Sequence, residues 1–326
     1  MKRKYSVFLA HVGTFSDRYC AGYSDKRYEI EDLFDRVKSI PLLSAVDIAL
    51  TPDVIDKKDE IVKNLKRTGL KVASVCMDTT ADRIFSQGSF SSLDPGVRRK
   101  TLEDAKSGID FAAEVGTGIF TIWPGQDGYD YMFQADYIKE RELFAEGIAA
   151  CCEYRKDINI TLEYKLKEPR THSYISSIGT TLLMIEKIGA KNLGVVIDFG
   201  HAVFGYETPG ETVALCKIYG DRLMHIHMND NYSLWDDDMI CGSVHTINYL
   251  EFIYWLRRTN YEGYITFDQF PYREDSRDAV AESAKWFDYF ESLMDKADME
   301  EIETVLVKKN AVESSRLMRK ILMGQA

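Results

Sequence analysis

Four side chains that can bind a metal ion stand at the ends of four successive β-rich segments. The segments read ITLEYK, VVIDFGH, HIHMND and ITFDQF, and they deliver Glu163, Asp198, His227 and Asp268, here called the four-residue set. On adjacent parallel strands these groups would face one another, and unpaired they would carry a large desolvation and like-charge cost. A divalent cation removes that cost. Three carboxylates and one imidazole suit Mn²⁺ or Mg²⁺, with Co²⁺ also possible, whereas a nitrogen or thiolate set would indicate zinc.

Each of these residues alone has a simpler interpretation, because an acidic residue that ends a strand often caps the following helix. A second set of candidate ligands shares Asp198. His201 follows it by three residues, and the run LWDDDM supplies Asp236 and Asp238, which an extended segment points to the same side. A solvated acidic loop explains that run equally well. The residues therefore predict one or two divalent cations per chain.

Lys165 lies two residues beyond Glu163 and projects to the same side if the strand continues. A lysine held beside a metal cluster can donate a proton or polarise a carbonyl group. An exposed surface lysine is the competing interpretation.

The elements that must position these residues alternate along the chain. Short β-rich runs are each followed by a longer run with helical periodicity. We predict strands at 5–11, 45–49, 71–75, 118–123, 159–163, 193–198, 223–228 and 263–269. We predict helices at 29–39, 53–68, 94–115, 137–156, 175–189, 208–220, 247–259 and 276–297.

Eight such units favour a closed barrel over an open sheet, because eight parallel strands can close and leave no edge. We therefore predict an α/β fold, a (β/α)8 TIM barrel over residues 1–298, with a C-terminal helical extension over 299–326. The extension could contact a neighbouring subunit or cover the barrel's own surface. No GxGxxG or GxxxxGK[ST] element follows any strand, which argues against nucleotide binding.

The composition excludes several classes of function. With 52 acidic and 41 basic residues, the net charge of -11 would repel nucleic acid. No apolar stretch is long enough to span a bilayer, and the first residues do not read as a signal peptide. The six cysteines form no CxxC pair and sit partly in apolar runs, as buried reduced thiols do. We expect a cytoplasmic protein without nucleic-acid or membrane partners.

These motifs, in this order, resemble xylose isomerase and L-rhamnose isomerase, within a larger superfamily of barrel isomerases, epimerases and endonucleases. The resemblance covers about 200 residues, from the third to the eighth strand. It is carried by QGSFSSLDPGVRR (87–99), IWPGQDGYDY (122–131), LEYKLKEPR (162–170), IDFGHA (197–202), HIHMN (225–229), WDDDMICG (235–242) and ITFDQF (265–270).

The resemblance implies a metal-dependent aldose–ketose isomerase that moves hydrogen between C1 and C2 of a free sugar as a hydride. The four-residue set would bind a structural cation, and Asp198, His201, Asp236 and Asp238 would bind a catalytic one. Lys165 would hold the carbonyl end of the open-chain sugar, and Trp123 would form an aromatic wall, although on sequence alone it reads as core. Glu163, Asp268 and Asp236 are the further catalytic candidates, and His201 also faces the sugar. A homodimer or homotetramer is expected.

The sequence departs from xylose isomerase in two places. His227 stands where that enzyme has an aspartate, which is closer to L-rhamnose isomerase and to the ketose 3-epimerases. The second strand, SAVDIALTPD, lacks the histidine that xylose isomerase uses for ring opening. His11 and His245 are candidates for that role, and His11 is also a candidate for sugar binding, although each also reads as a structural histidine. His225, two residues before His227, should face the barrel interior beside it.

Three other functions compete. A one-metal ketose 3-epimerase would use two carboxylates as acid and base, but such enzymes usually end the eighth strand with glutamate. An abasic-site endonuclease would need more histidines and a basic groove. A binding protein without catalysis would not retain so costly a carboxylate cluster. A free sugar is favoured over a sugar phosphate because no glycine-rich anion loop appears, although Arg83, Arg98 and Arg99 could supply positive charge.

Overall fold

Eight parallel strands close into a barrel in the computed structural model, which describes residues 3–17, 19–80 and 82–324. Each strand pairs with the next one along the chain, and the first pairs with the last. The strands are β1 (Lys4–Phe8), β2 (Leu43–Ala49), β3 (Lys71–Asp78), β4 (Ile119–Trp123), β5 (Asn159–Glu163), β6 (Leu193–Asp198), β7 (Leu223–Met228) and β8 (Tyr264–Phe267). The predicted (β/α)8 barrel is confirmed.

Helices follow the strands and cover the outside of the barrel. They are α1 (Ile30–Lys38), α2 (Pro52–Ile55), α3 (Lys58–Thr68), α4 (Pro95–Glu114), α5 (Tyr137–Tyr154), α6 (Ile178–Ile188), α7 (Phe199–Phe204), α8 (Pro209–Ile218), α9 (Thr246–Arg258), α10 (Ser276–Lys296), α11 (Met299–Lys308) and α12 (Ala311–Leu322). The prediction of one helix over 53–68 is wrong, because Lys57 leaves the helical backbone (φ −113°, ψ 18°) between α2 and α3.

Local sequence explains where several of these helices begin and end. Asp94, Asp136 and Asp275 cap α4, α5 and α10, each accepting a hydrogen bond from a backbone N–H of the first turn. Gly69 and Gly189 end α3 and α6 in the left-handed conformation, with φ of 72° and 71°. Glycine adopts this conformation without steric strain, so the chain can leave each helix and turn toward the next strand.

The barrel interior contains a polar layer below the carboxyl ends of the strands. Because side chains alternate along a strand, residues two positions apart face the same side. Ser74, Thr121 and Thr161 form a hydrogen-bonded row, with oxygen-to-oxygen distances of 3.0 and 2.9 Å. Asp47 and Thr266 are bonded at 2.8 Å elsewhere in the interior. The residues two positions beyond Thr161 and Thr266 are Glu163 and Asp268, so the layer supports the mouth of the barrel.

The C-terminal segment packs on the chain's own surface. It forms two helices, because Lys309 turns the backbone into the left-handed region (φ 51°) between α11 and α12. Ile302, Leu317 and Ile321 are buried in the hydrophobic core. They line a groove with Leu250 of α9 and Met294 of α10. The segment therefore contacts helices α9 and α10 of its own chain.

Two further expectations can be compared with the described residues. All six cysteines are free thiols, and all except the partly exposed Cys20 are buried. Across the described ranges, no helix combines the length and the apolarity that crossing a bilayer requires.

We expect replacement of Glu291 by glutamine to lower the free energy of unfolding by about 3 kcal/mol. The Glu291 carboxylate is buried on α10 and accepts hydrogen bonds from Arg3, at 2.6 Å, and from Arg257 of α9. Breaking a buried ion pair leaves a charge without compensation, which costs roughly 3–5 kcal/mol. Urea unfolding followed by circular dichroism measures the change.

Asp295 provides the matched control. It contacts the same Arg257 side chain at 2.8 Å, but its own side chain is 62% exposed. An exposed pair contributes about 0–1 kcal/mol, so Asp295→Asn should change the stability little. Equal effects of the two substitutions would contradict the assigned role of burial.

Candidate metal centre

The four-residue set converges at the mouth of the barrel. The strand register places Asp198 of β6 level with His227 of β7. Glu163 ends β5, and Asp268 directly follows β8. One ligand atom from each of the four residues lies within 4.8 Å of the others. Asp198 and His227 are fully buried, and Asp268 is the most exposed, with 15% of its side chain accessible. The predicted set is therefore brought together.

His227 lies between two of the carboxylates. Its Nδ1 is 3.0 Å from Oε1 of Glu163 and 3.6 Å from Oδ2 of Asp268. Burial alone would lower the pKa of His227, but the charges of Glu163 and Asp268 raise it to about 10. The carboxylates thus favour a positive charge at the point where their oxygens converge.

Asp198 caps the following helix and also lies within the four-residue set. Its Oδ1 caps α7 by accepting the backbone N–H of His201 at 2.8 Å. Asn229 Nδ2 donates to both carboxylate oxygens, at 3.2 and 3.0 Å. Burial raises the pKa of Asp198 to about 7, and the nearby Asp236, Asp268 and Glu163 charges add to the rise, whereas His201 opposes it. A carboxylate in such surroundings is stabilised by a cation.

The donor chemistry fits a divalent metal ion. Three carboxylate groups and one imidazole nitrogen converge in a buried space, and hard oxygen ligands with one nitrogen suit Mg²⁺, Mn²⁺ or Co²⁺. Glu163, Asp198, His227 and Asp268 would hold the ion.

We expect Gly200→Ala to weaken cation binding at least 10-fold. A β-carbon at Gly200 would lie 1.7 Å from Oδ1 of Asn229, so Asn229 would have to move away from Asp198. Loss of a residue that orients a ligand typically costs roughly 10–100-fold in metal affinity. Calorimetric titration with Mn²⁺ measures the change. Gly179→Ala in α6 is the control, because the nearest atom to its added β-carbon is 3.8 Å away. A normal affinity for Gly200→Ala would contradict this role of Asn229.

In the second predicted set, His201 contacts both Asp198 and Asp236. His201 Nε2 lies 3.1 Å from Oδ2 of Asp236, while its Nδ1 is 3.0 Å from the carbonyl oxygen of Tyr164. Burial would lower the pKa of His201, but Asp198 and Asp236 raise it to about 9. Asp238 follows in the same loop with a left-handed backbone (φ 49°). Among the described residues this set does not form a compact ligand group as the four-residue set does, and its metal remains a prediction.

Lys165 is buried at the rim of the site and is not a surface lysine. Its Nζ is 2.8 Å from Asp236 and 2.9 Å from Glu168, and it lies 5.5 Å from the ring centre of Trp123. Burial would lower the pKa of Lys165, but Asp236, Asp238 and Glu168 raise it above its usual value. Lys165 is therefore protonated, and it can act as a cationic hydrogen-bond donor beside an aromatic wall.

His11 lies on the opposite side of the mouth. The prediction that it ends the first strand is wrong, because β1 stops at Phe8 and His11 lies in a 3₁₀ turn, Leu9–Val12. The turn brings its Nδ1 to 3.2 Å from Oδ1 of Asp268. Burial would raise the pKa of Asp268, but the contact with His11 and the charge of His227 lower it. Phe270 packs on His11 with ring centres 4.3 Å apart and adds an apolar wall.

His245, the other histidine proposed for ring opening, supports a loop. Its Nδ1 is 2.8 Å from Asp230, and its Nε2 is 3.2 Å from the Ser233 hydroxyl. Asp230 also accepts the backbone N–H groups of Val244 and His245. This network holds the segment that carries Asp236.

Sequence reasoning missed Asp47, Asn229 and Glu168, which contact the predicted site residues. Asp47 lies in the middle of β2, where an acidic residue in an apolar strand could have drawn attention. Asn229 follows HIHM directly, so its place at the strand end was a usable signal. Glu168 had none, because only the loop after β5 brings it to Lys165.

Comparisons with known proteins agree with the barrel fold. The family model described as xylose isomerase-like TIM barrel matches residues 40–290. Xylose isomerase from Thermus thermophilus is 28% identical over 234 residues, which cover 69% of this chain and 60% of that enzyme. Xylose isomerase from Mesorhizobium japonicum is 25% identical over 57% of this chain and 44% of the enzyme. The chain thus matches 60% or less of the length of these two relatives.

Solved structures of sugar epimerases share the fold. A D-tagatose 3-epimerase-like protein has a TM-score of 0.69 at 19% identity, over 89% of this chain and 99% of that one. The D-allulose 3-epimerase from Methylomonas sp., in complex with D-allulose, has a TM-score of 0.68 at 17% identity, over 89% and 97% of the two chains. At such identities the likeness shows the architecture alone.

Proposed function

Because this chain belongs to the xylose isomerase-like TIM barrel family, we propose that it is a divalent-metal-dependent isomerase that interconverts an aldose and a ketose. The observation that carries the proposal is the position of protonated Lys165, which is linked through Asp236 and His201 to Asp198 of the four-residue set. A cationic donor beside a metal site suits a substrate with a carbonyl group next to a hydroxyl group. The proposed substrate is a free open-chain monosaccharide.

Each residue then has a defined task. When bound, Mn²⁺ or Mg²⁺ would supply Lewis-acid polarisation of the sugar oxygens. Lys165 would donate a hydrogen bond to the carbonyl oxygen at C1 or C2 and stabilise the negative charge that develops there. Asp236 and Glu168 would keep Lys165 protonated and in place. Trp123 and Phe270 would flank the sugar and exclude water, so that hydrogen can pass between C1 and C2 as a hydride.

A ketose 3-epimerase is the second candidate, and one feature favours it. Glu163 and Asp268 approach His227 Nδ1 from the ends of two different strands, at 3.0 and 3.6 Å, so two carboxylates border the same space. One could remove a proton from C3 of a ketose while the other returns a proton to the opposite face. This reaction would need only the four-residue set and one cation.

Reaction in deuterium oxide distinguishes the two. The Mn²⁺-loaded protein is incubated with pentoses, hexoses and 6-deoxyhexoses, and the products are analysed by NMR. A hydride shift yields aldose–ketose conversion without deuterium at C1 or C2. Deuterium at C3 of a ketose, with no aldose formed, would reject the isomerase and support the epimerase. Conversion of phosphorylated sugars alone would reject the free-sugar assignment. Protein treated with EDTA should be inactive in every case.

We also propose that residues 1–298 form the catalytic barrel, with 299–326 as a helical arm, and that the chain forms a homodimer or homotetramer. The outer faces of α11 and α12 expose apolar side chains, including Val307 at 82% and Val312 at 58%. Contact between copies would bury such groups. Light scattering on the purified protein measures the oligomeric state, and a monomer at micromolar concentration would reject the assembly.

A further inference from the structure

A buried carboxylate lies in the barrel below the four-residue set. Asp47 of β2 is fully buried. Its Oδ1 accepts hydrogen bonds from the hydroxyl groups of Ser6 and Thr266, the latter at 2.8 Å. Its Oδ2 lies 2.7 Å from Nε2 of His225. Donors from three other strands therefore hold one carboxylate in a single orientation.

The Asp47 carboxylate also faces His227, on the side of the ring away from Glu163 and Asp268. His225 and His227 lie two residues apart on β7, and their rings are nearly perpendicular, with centres 5.1 Å apart. His227 turns Nδ1 toward Glu163 and Asp268, and it turns Nε2 toward Oδ2 of Asp47 at 3.9 Å. Among the described residues Nε2 has no hydrogen-bond partner. At 3.9 Å, Asp47 acts on this nitrogen through its charge.

We propose that Asp47, oriented by His225, is a positioning residue that keeps the imidazole proton of His227 on Nε2 and leaves the Nδ1 lone pair free for the cation. This inference rests on the proposed function only in taking the four-residue set as a divalent-metal site. A neutral imidazole carries one N–H group, and an anion beside one nitrogen favours the tautomer that places the N–H there. In metal-binding proteins, a carboxylate beside the ring nitrogen that does not bind the metal commonly fixes the histidine tautomer in this way.

Two aromatic rings pack against the His227 ring, those of His225 and Phe8. Phe8 packs edge-on against the His227 ring, with centres 4.9 Å apart, and its side chain offers no hydrogen-bond acceptor. An apolar residue at position 47 would fill the space but would leave Ser6, Thr266 and His225 without this acceptor. The network thus satisfies the hydrogen-bonding capacity of the buried Asp47 carboxylate and holds its negative charge close to Nε2 of His227.

The proposal is tested with protein carrying ¹⁵N-labelled histidine and loaded with Mg²⁺, which is diamagnetic. The sequence has 6 histidines, so the ring nitrogens can be resolved and assigned by single substitutions. In the unsubstituted protein we expect His227 to be protonated at Nε2 only. In Asp47→Asn we expect the Nδ1-protonated tautomer to appear and the Mg²⁺ affinity, measured by calorimetry, to fall about 10–100-fold.

Ser74→Ala is the matched control, because Ser74 lies in the same polar layer but bonds to Thr121 and not to a histidine. It should change neither the tautomer nor the affinity. If Asp47→Asn does not fold, His225→Gln replaces it: removing the ring that orients Oδ2 should shift His227 in the same direction.

Three outcomes would overturn the inference. An unchanged tautomer with an affinity within about twofold would leave Asp47 a purely structural role. Two equivalents of bound Mg²⁺, with the Nε2–H signal of His227 lost, would instead indicate a cation held by Asp47, His225 and His227. A wild-type tautomer protonated at Nδ1 would also contradict it. Failure of the metal-site assignment is separate, since the unsubstituted protein would then bind no Mg²⁺ at all.

Discussion

Replacement of Asp198 by asparagine is expected to abolish tight cation binding and to lower activity by about 10³-fold or more. Asparagine keeps the size of the side chain and the oxygen that caps α7, so the fold should persist. It removes the charge that the cation would neutralise and leaves the other members of the four-residue set. Loss of about 4 kcal/mol of transition-state stabilisation corresponds to this factor. Steady-state kinetics and Mn²⁺ titration measure the two effects.

The same substitution should make the metal-free protein more stable at pH 8. Burial raises the pKa of Asp198 to about 7, above its unfolded value near 3.8, so the folded state holds a proton that the unfolded state has lost. Stability therefore falls as the pH rises from about 4 through 7. The raised pKa values of His201 and His227 extend this loss above pH 6.5. The asparagine side chain of the variant stays neutral throughout, so the variant should show a smaller loss.

Urea unfolding in EDTA at pH 5 and pH 8 tests this opposition between function and stability. Asp110→Asn is the control, since Asp110 is exposed on α4 and pairs at the surface with Arg155, at 3.5 Å. It should leave activity unchanged and stability within about 0.5 kcal/mol of the parent. A metal-free Asp198→Asn protein that is less stable than the parent at pH 8 would show that the carboxylate serves the fold.

Replacement of Lys165 by methionine is expected to lower kcat by about 10²–10³-fold while cation binding changes less than about threefold. The methionine side chain retains most of the apolar volume against Trp123, and it lacks the charge that would stabilise a developing alkoxide. Lys165 contacts Asp236 and Glu168 and not the four-residue set, so the main cation site should remain intact. Steady-state kinetics, with whichever pentose, hexose or 6-deoxyhexose is converted, measures kcat. Calorimetry with Mn²⁺ measures cation binding separately.

Lys187→Met is the matched control, because Lys187 is exposed on α6. We expect it to retain full activity. If Lys165→Met keeps activity within about threefold, the carbonyl-polarising role is wrong, and the two carboxylates of the 3-epimerase alternative become the better account.

Several features of the site followed from sequence order alone. The period of two along a strand and the meeting of parallel strand ends at one barrel face predicted that Glu163, Asp198, His227 and Asp268 converge, and the structure brings them within 4.8 Å. These are local properties of each strand combined with one topological rule. The alternation of strands and helices likewise predicted the closed barrel.

Only the tertiary structure decided the contacts that cross the barrel or depend on loops. Asp47 and His225 are 178 residues apart, and no local pattern indicates that β2 and β7 face each other through the interior. The burial of Lys165 depends on how two loops fold, as does the position of His11 beside Asp268. Loops obey no fixed side-chain period, so their contacts arise only when the barrel is closed. The four-residue set could therefore be predicted from the sequence, whereas the positions of Asp47, Lys165 and His11 around it required the tertiary structure.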